Sequence, residues 1–287
     1  MKKEIPSIKE LREICLPNYI LSGRSQSHLF NRICTRQVSI YLTKLFLHMG
    51  ISANQTTMLS MFIVALGALL MSVGDIYYMI AGAIVLFLFP ILDSVDGEIA
   101  RYKKSKDIFS GRYMEVLSHP IARALIFAGW GVGLYNATGN ILPILCSGLL
   151  IIGFLINTSI EFSLYTTLCM IFKENAEFRN KYFGYIDNKG LEHRNIYSGY
   201  ENAKKSFISS FIDRAHKSVH LIVKEGIIIN IILLSLIVTL FIPWFSIYSL
   251  ELTPAMLPLL FYTLIYGPML MVKILVIKKL LKTPRNI

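Results

Sequence analysis

The chain has 287 residues, of which 54% are hydrophobic and only 16% charged, with a net charge of +11. That is too apolar for an ordinary soluble domain. The excess of Lys and Arg reads as a positive-inside, anionic-lipid signal rather than as a nucleic-acid footprint. Four cysteines, Cys15, Cys34, Cys146 and Cys169, show no paired metal spacing and predict free thiols.

Residues 1–28 are polar and predict an irregular segment; the start has no apolar signal core, so the first fifty residues are expected in the cytosol. In 29–49, Phe30, Ile33, Cys34, Val38, Tyr41, Leu42 and Leu45 recur at helical spacing, while Arg32 and Arg36 point elsewhere. This predicts an amphipathic helix lying on the inner membrane surface, the alternative being a helix packed on a bundle. Gly50 is placed to end it, and Ser52 with Gln55 forms a capping box that starts the next helix.

Six apolar stretches follow, at 55–73, 76–102, 109–135, 141–172, 221–244 and 254–280. Each is long enough to cross ~30 Å of hydrocarbon as a helix. The connections 74–78, 135–140 and 243–253 hold no Lys or Arg, whereas 102–106, the tail 278–287 and 173–219, with its nine Lys and Arg, are basic. The expected fold is therefore an all-α integral membrane protein with six transmembrane helices and both termini cytosolic. A cytosolic segment, 1–52, precedes a membrane domain, 53–287, that carries a long cytosolic loop at 173–219. Within that loop, 203–220 predicts another surface helix, and Tyr77, Tyr78, Trp244 and Tyr248 fall where an aromatic belt belongs.

The chemistry concentrates in 93-DSVDGEIAR-101, at the end of the second apolar stretch. On a helix, Asp93, Asp96, Gly97, Ala100 and Arg101 share one face. Two carboxylates there favour a divalent cation with oxygen ligands, the small residues let a ligand approach the backbone, and a guanidinium suits a phosphate. On the next helix Gly111, Glu115 and His119 share a face, and the short connection makes the two helices antiparallel neighbours. Lys103, Lys104, Lys106 and Arg112 make the mouth basic. Deeper in the membrane, Arg123 lies one turn beyond His119, and Asn157 and Glu161 share a face of the fourth stretch. Arg123 is expected either to bind a phosphate on an acceptor or to pair with Glu161. Pro90 and Pro120 flank the two polar faces and are candidates to kink their helices.

These residues resemble the CDP-alcohol phosphotransferases, which carry D-x-x-D-G-x-x-A-R, about eight residues, then G-x-x-x-D-x-x-x-D. The first half is complete in Asp93, Asp96, Gly97, Ala100 and Arg101; Gly111 follows after nine residues, and Glu115 and His119 stand where the family has its third and fourth aspartates. The stretch 51-ISANQTTMLS-60 is similar to the family's T-P-N-x-x-T start of the first span, with Ala53 in place of proline. The resemblance implies transfer of a phosphoalcohol group from a CDP-linked alcohol to an acceptor hydroxyl, with release of CMP, in lipid or polyol-phosphate biosynthesis. It implies Mg²⁺ or Mn²⁺, one or two ions, held by Asp93, Asp96, Glu115 and His119, with His119 as the base. Gly97, Ala100, Arg101, Gly111 and Asn54 would line the nucleotide site; Arg112, Arg123 and Glu161 are acceptor-site candidates. A homodimer in an inner membrane of bacterial or archaeal type, its site facing the cytosol, completes the expectation. Glu115 and His119 leave open a relative that binds nucleotide or a partner without turnover, and the intramembrane polar residues leave open a small-solute transporter.

Overall fold

The computed structural model describes residues 5–16, 35–103, 108–174, 225–242, 245–247 and 250–282. In chain order these form α1 (Ile8–Cys15), α2 (Arg36–His48), α3 (Ala53–Ser72), α4 (Ile76–Leu86), α5 (Leu88–Lys103), α6 (Ile108–Thr138), α7 (Leu142–Glu174), α8 (Glu225–Phe241), β1 (Phe245–Ile247), β2 (Leu250–Leu252), a 3-10 turn (Pro254–Met256) and α9 (Leu257–Lys282). A helix or helix pair stands at each apolar stretch. Among the described residues, three are able by length and composition to cross a membrane, Ala53–Ser72, Ile76–Lys103 and Leu142–Ile160; Gly226–Phe241 is apolar but shorter. The chain divides into two compact units, Met1–Phe154 with Leu221–Tyr266, and Leu155–His220 with Gly267–Ile287. All packing described below lies within the first.

Two expectations need correction. Part of the N-terminal segment read as irregular is helix α1, and its signal was present. Ser7 and Glu10 make a reciprocal capping box, and Leu11 and Cys15, one turn apart, are fully buried. The connection read as a plain loop after the fifth stretch holds an antiparallel ribbon, Phe245 opposite Leu252 and Ile247 opposite Leu250. So the fold is helical with one short ribbon, and the last helix starts at Leu257, after a 3-10 turn. The second stretch remains one candidate span and breaks where Pro90 was expected to kink it, as two helices that meet at Phe87. Pro90 explains the break: it has no N–H for the Leu86 carbonyl, and its ring crowds that oxygen. Pro120, by contrast, sits inside an uninterrupted α6.

Helix α2 packs on the bundle, the alternative reading of its stretch, and keeps an exposed apolar stripe. Ser39, Ile40, Thr43, Phe46 and Leu47 are buried, whereas Val38, Tyr41, Leu45 and Met49 are exposed. One face packs on α1 and α5, and the other presents an apolar stripe. Residues 29–34 of that stretch lie outside the described residues. The helix ends as expected. Gly50 is left-handed at φ 77, with Gly50 N–H donating to the Leu47 carbonyl and Ile51 N–H to that of Phe46, a Schellman closure. Ser52 and Gln55 then cap α3 reciprocally.

Helices α3, α4 and α6 approach until backbones touch. A methyl group on Gly82 would lie 2.6 Å from the Gly67 carbonyl, and one on Gly129 would lie 2.5 Å from that of Ala68; on Gly133 it would run into the Met71 carbonyl. Gly129 and Gly133 are a G-x-x-x-G pair, the small-residue seam by which helices pack where lipid supplies no hydrophobic drive. Beside it, Phe127 stacks on Trp130 and Phe154, and Phe154 on Tyr266 at 4.3 Å between centroids. Cys15 and Cys146 are buried free thiols.

Candidate active site

Helix α5 has two faces. Leu92, Val95, Glu98 and Ile99 are buried, and Asp93, Asp96, Gly97 and Ala100 form the half-exposed side. The predicted one-face grouping of the aspartates follows from the 3.6-residue period alone.

Two other helices converge on that face. From α3, Thr57 Oγ donates to Asp96 Oδ2 at 2.7 Å. From α6, His119 Nε2 lies 3.5 Å from Asp93 Oδ1. The imidazole is set edge-on against Phe89, with centroids 6.1 Å apart and planes at 80°. Asn54 stands one turn before Thr57 on α3, half-buried. Gly111, Arg112 and Glu115 lie on α6 ahead of His119, and Glu161 on α7, but their side chains are outside the described residues, as are Lys104, Lys106 and the loop 175–224.

The donors suit a hard divalent cation: two carboxylates one turn apart, with an imidazole facing one of them. Among the described residues no group of three or more His, Cys, Asp or Glu side chains is gathered closely enough to hold a metal. The residue types and their shared face fit the ion that the resemblance implies.

Arg101, expected at the nucleotide, also makes contacts within the protein. Its Nε–H donates to the carbonyl of Cys15 at 2.6 Å. Its guanidinium fills the space that Gly97 leaves, since a methyl group on Gly97 would meet Nη1 at 3.3 Å and Nη2 at 3.4 Å. Arg123 places its guanidinium carbon 5.3 Å over the Phe154 ring, a cation–π contact. Lys103 Nζ donates to the carbonyl of Ile51 at 2.9 Å, tying the end of α5 to the α2–α3 connection.

Two functional-looking residues went unread in the sequence. Thr57 lies within the 51–60 stretch that carried the resemblance, and its one-turn spacing from Asn54 was the available signal. Glu98 lies inside the nine-residue motif at an unspecified position. Only 1% exposed, it accepts Ser39 Oγ–H on Oε1 and Thr43 Oγ–H on Oε2, both at 2.6 Å. Ser39 and Thr43, four apart on α2, were the legible partners. The Glu98 carbonyl also receives Cys15 Sγ–H at 3.4 Å. Burial, and then the neighbouring Glu98 charge, push the Cys15 thiol up to about 11.

No curated protein matches the chain. The described acidic face, Thr57 and Arg101 all fall within 50–108, a stretch that matches the family model described as CDP-alcohol phosphatidyltransferase. The match ends before Gly111, so Glu115 and His119 lie beyond it. Residues 50–108 of this apolar, helical chain are thus similar to the CDP-alcohol phosphatidyltransferase family, over about a fifth of its length.

Proposed function

We propose that this chain is an active, divalent-metal-dependent CDP-alcohol phosphotransferase, working in the membrane with its site at the cytosolic boundary. The observation that carries the reading is the convergence of Thr57, Asp93, Asp96 and His119, from three helices, on the face that holds the motif. Six spanning helices with both termini inside, and a homodimer, belong to this reading; the six helical stretches and the distribution of Lys and Arg support the topology.

Asp93, Asp96 and Glu115 would hold the cation, with His119 at its edge. Bound there, it would offset the diphosphate charge and ease departure of CMP. Thr57 holds one oxygen of Asp96 and so fixes the orientation of that carboxylate. Arg101 offers its guanidinium to a phosphate across Gly97. The acceptor hydroxyl would give its proton to the His119 imidazole as its oxygen bonds to the phosphorus bearing the donor's alcohol. The bond from that phosphorus to the CMP oxygen breaks, and CMP leaves. Arg112, Arg123 and Glu161 remain acceptor-side candidates, with Arg123 held by Phe154.

The test is CMP release by purified protein in detergent. A panel of CDP-alcohols is offered with membrane-lipid extract, with and without Mg²⁺ or Mn²⁺. Metal-dependent CMP from one donor is the expected result. CDP binding without CMP from any donor would overturn turnover and make Glu115 and His119 the marks of a binding protein. Solute flux that ignores nucleotide would point to transport.

A further inference from the structure

The transferase reading takes its metal and nucleotide residues from between Asn54 and His119, yet the motif's arginine is held from outside that range. Arg101 Nε–H donates to the carbonyl of Cys15 at 2.6 Å. Cys15 is the last residue of α1. The final carbonyls of a helix lack intrahelical donors and carry the negative end of its dipole, so they are ready acceptors for a guanidinium. The Nη edge of the same guanidinium lies against Gly97, on the face of Asp93 and Asp96. One side chain is thus shared between α1 and the site through a planar fork that holds its donors in a fixed arrangement, as the point charge of a lysine does not.

Helix α1 is fixed where it makes this contact. Leu11 is fully buried in a cluster with Ile40, Val95 and Ile99. Cys15 Sγ–H donates to the Glu98 carbonyl at 3.4 Å, and Arg12 Nη2 donates to Gln37 Oε1 at 3.0 Å.

We propose that α1 is a positioning element of the active site: the Cys15 carbonyl orients Arg101 so that its Nη edge is presented across Gly97 to a phosphate of the CDP-linked donor. The inference rests on the transferase reading. It places the effect on nucleotide affinity rather than on the chemical step.

The experiment uses the full chain and measures CDP binding with Mg²⁺ by calorimetry, alongside KM and kcat for the donor. Leu11→Asp undocks α1, which maleimide labelling of Cys15 reports independently. Expected are a roughly tenfold loss of CDP affinity, the scale of one charged hydrogen bond, a matching rise in KM and a nearly unchanged kcat. Arg101→Lys should lose a similar factor, and the double variant no more than Arg101→Lys alone, because both act through one contact. Should Leu11→Asp fail to reach the membrane, Ser7→Gly with Glu10→Ala removes the capping box and frays α1 from its exposed end. Wild-type affinity in a chain whose Cys15 has become reactive would overturn the proposal, as would losses that multiply in the double variant. A wild-type chain that binds no CDP overturns the transferase reading itself, and this proposal with it.

Discussion

Thr57 and His119 divide the work on the two aspartates. Each carboxylate has one described partner from another helix, Asp96 with Thr57 and Asp93 with His119. A group that orients a ligating carboxylate is worth ~10–100-fold in metal affinity or activity. Thr57→Val should therefore lower metal-dependent CMP release by about that factor, while Thr57→Ser, which keeps the hydroxyl, stays near wild type. Asp93→Asn or Asp96→Asn should abolish release and leave membrane insertion intact, read by membrane fractionation beside the CMP assay. His119→Asp tests the departure from the family pattern: higher turnover marks His119 as a weaker base than aspartate, and loss of turnover gives the imidazole a role of its own. Cys15 supplies a pH prediction. Its thiol is pushed up to about 11 by burial and by Glu98, whereas an unfolded thiol ionises near ~8.5. The folded-state pKa is the raised one, so this contribution to stability is complete below ~8.5 and drains away as pH rises toward 11. In a chain with Cys15 as the sole cysteine, maleimide labelling at pH 7.5 should stay slow until α1 leaves its seat; rapid labelling of the intact fold would contradict the burial. At this scale the sequence disclosed the acidic face, because period alone groups 93, 96, 97 and 100. It did not disclose Thr57 or Glu98, because period says nothing about what stands opposite.

Among the elements, α2 shows how a polar pair governs docking. Ser39 and Thr43 give both oxygens of Glu98 a donor at 2.6 Å, so the buried carboxylate is satisfied only while α2 is seated. Ser39→Ala or Thr43→Ala should each cost roughly 1–3 kcal/mol, the penalty of stranding a buried acceptor. The double variant should not be the sum, since both hydroxyls serve one group; thermal unfolding in detergent reads this out. If both single variants melt with wild type, the clamp contributes nothing. The apolar stripe of 29–49 was legible: Val38, Tyr41 and Leu45, counted by periodicity, are exposed on one face. The docked face was not, because it is held in part by two hydroxyls that a hydrophobic count ignores. Helix α1 escaped notice for the opposite reason. Only eight residues long, it is too short to stand on propensity, and packing of Leu11 and Cys15 sustains it.

For the whole molecule, the order of helices was readable because apolar length and turn chemistry agree at each junction, from Gly50 and Ser52 to Asp75, whose carboxylate caps α4 by accepting from Tyr77 and Tyr78 N–H. The depth of contact was not readable, since glycine in a span is also compatible with a loose bundle. Gly133→Leu should prevent α6 from seating on α3, because even a methyl group there meets backbone. The expected result is loss of folded, monodisperse protein in detergent; a well-behaved variant would show that the seam is wider than described. These seams lie toward the far end of α3 from Thr57, 57 to 71 being about 21 Å of helix. The assembly is therefore a clothes peg, with its pivot made of touching backbone and its jaws of side-chain hydrogen bonds. The pivot has no room for an added methyl group, whereas the jaws can be altered by exchanging one hydroxyl, so the two ends of one helix can be varied separately.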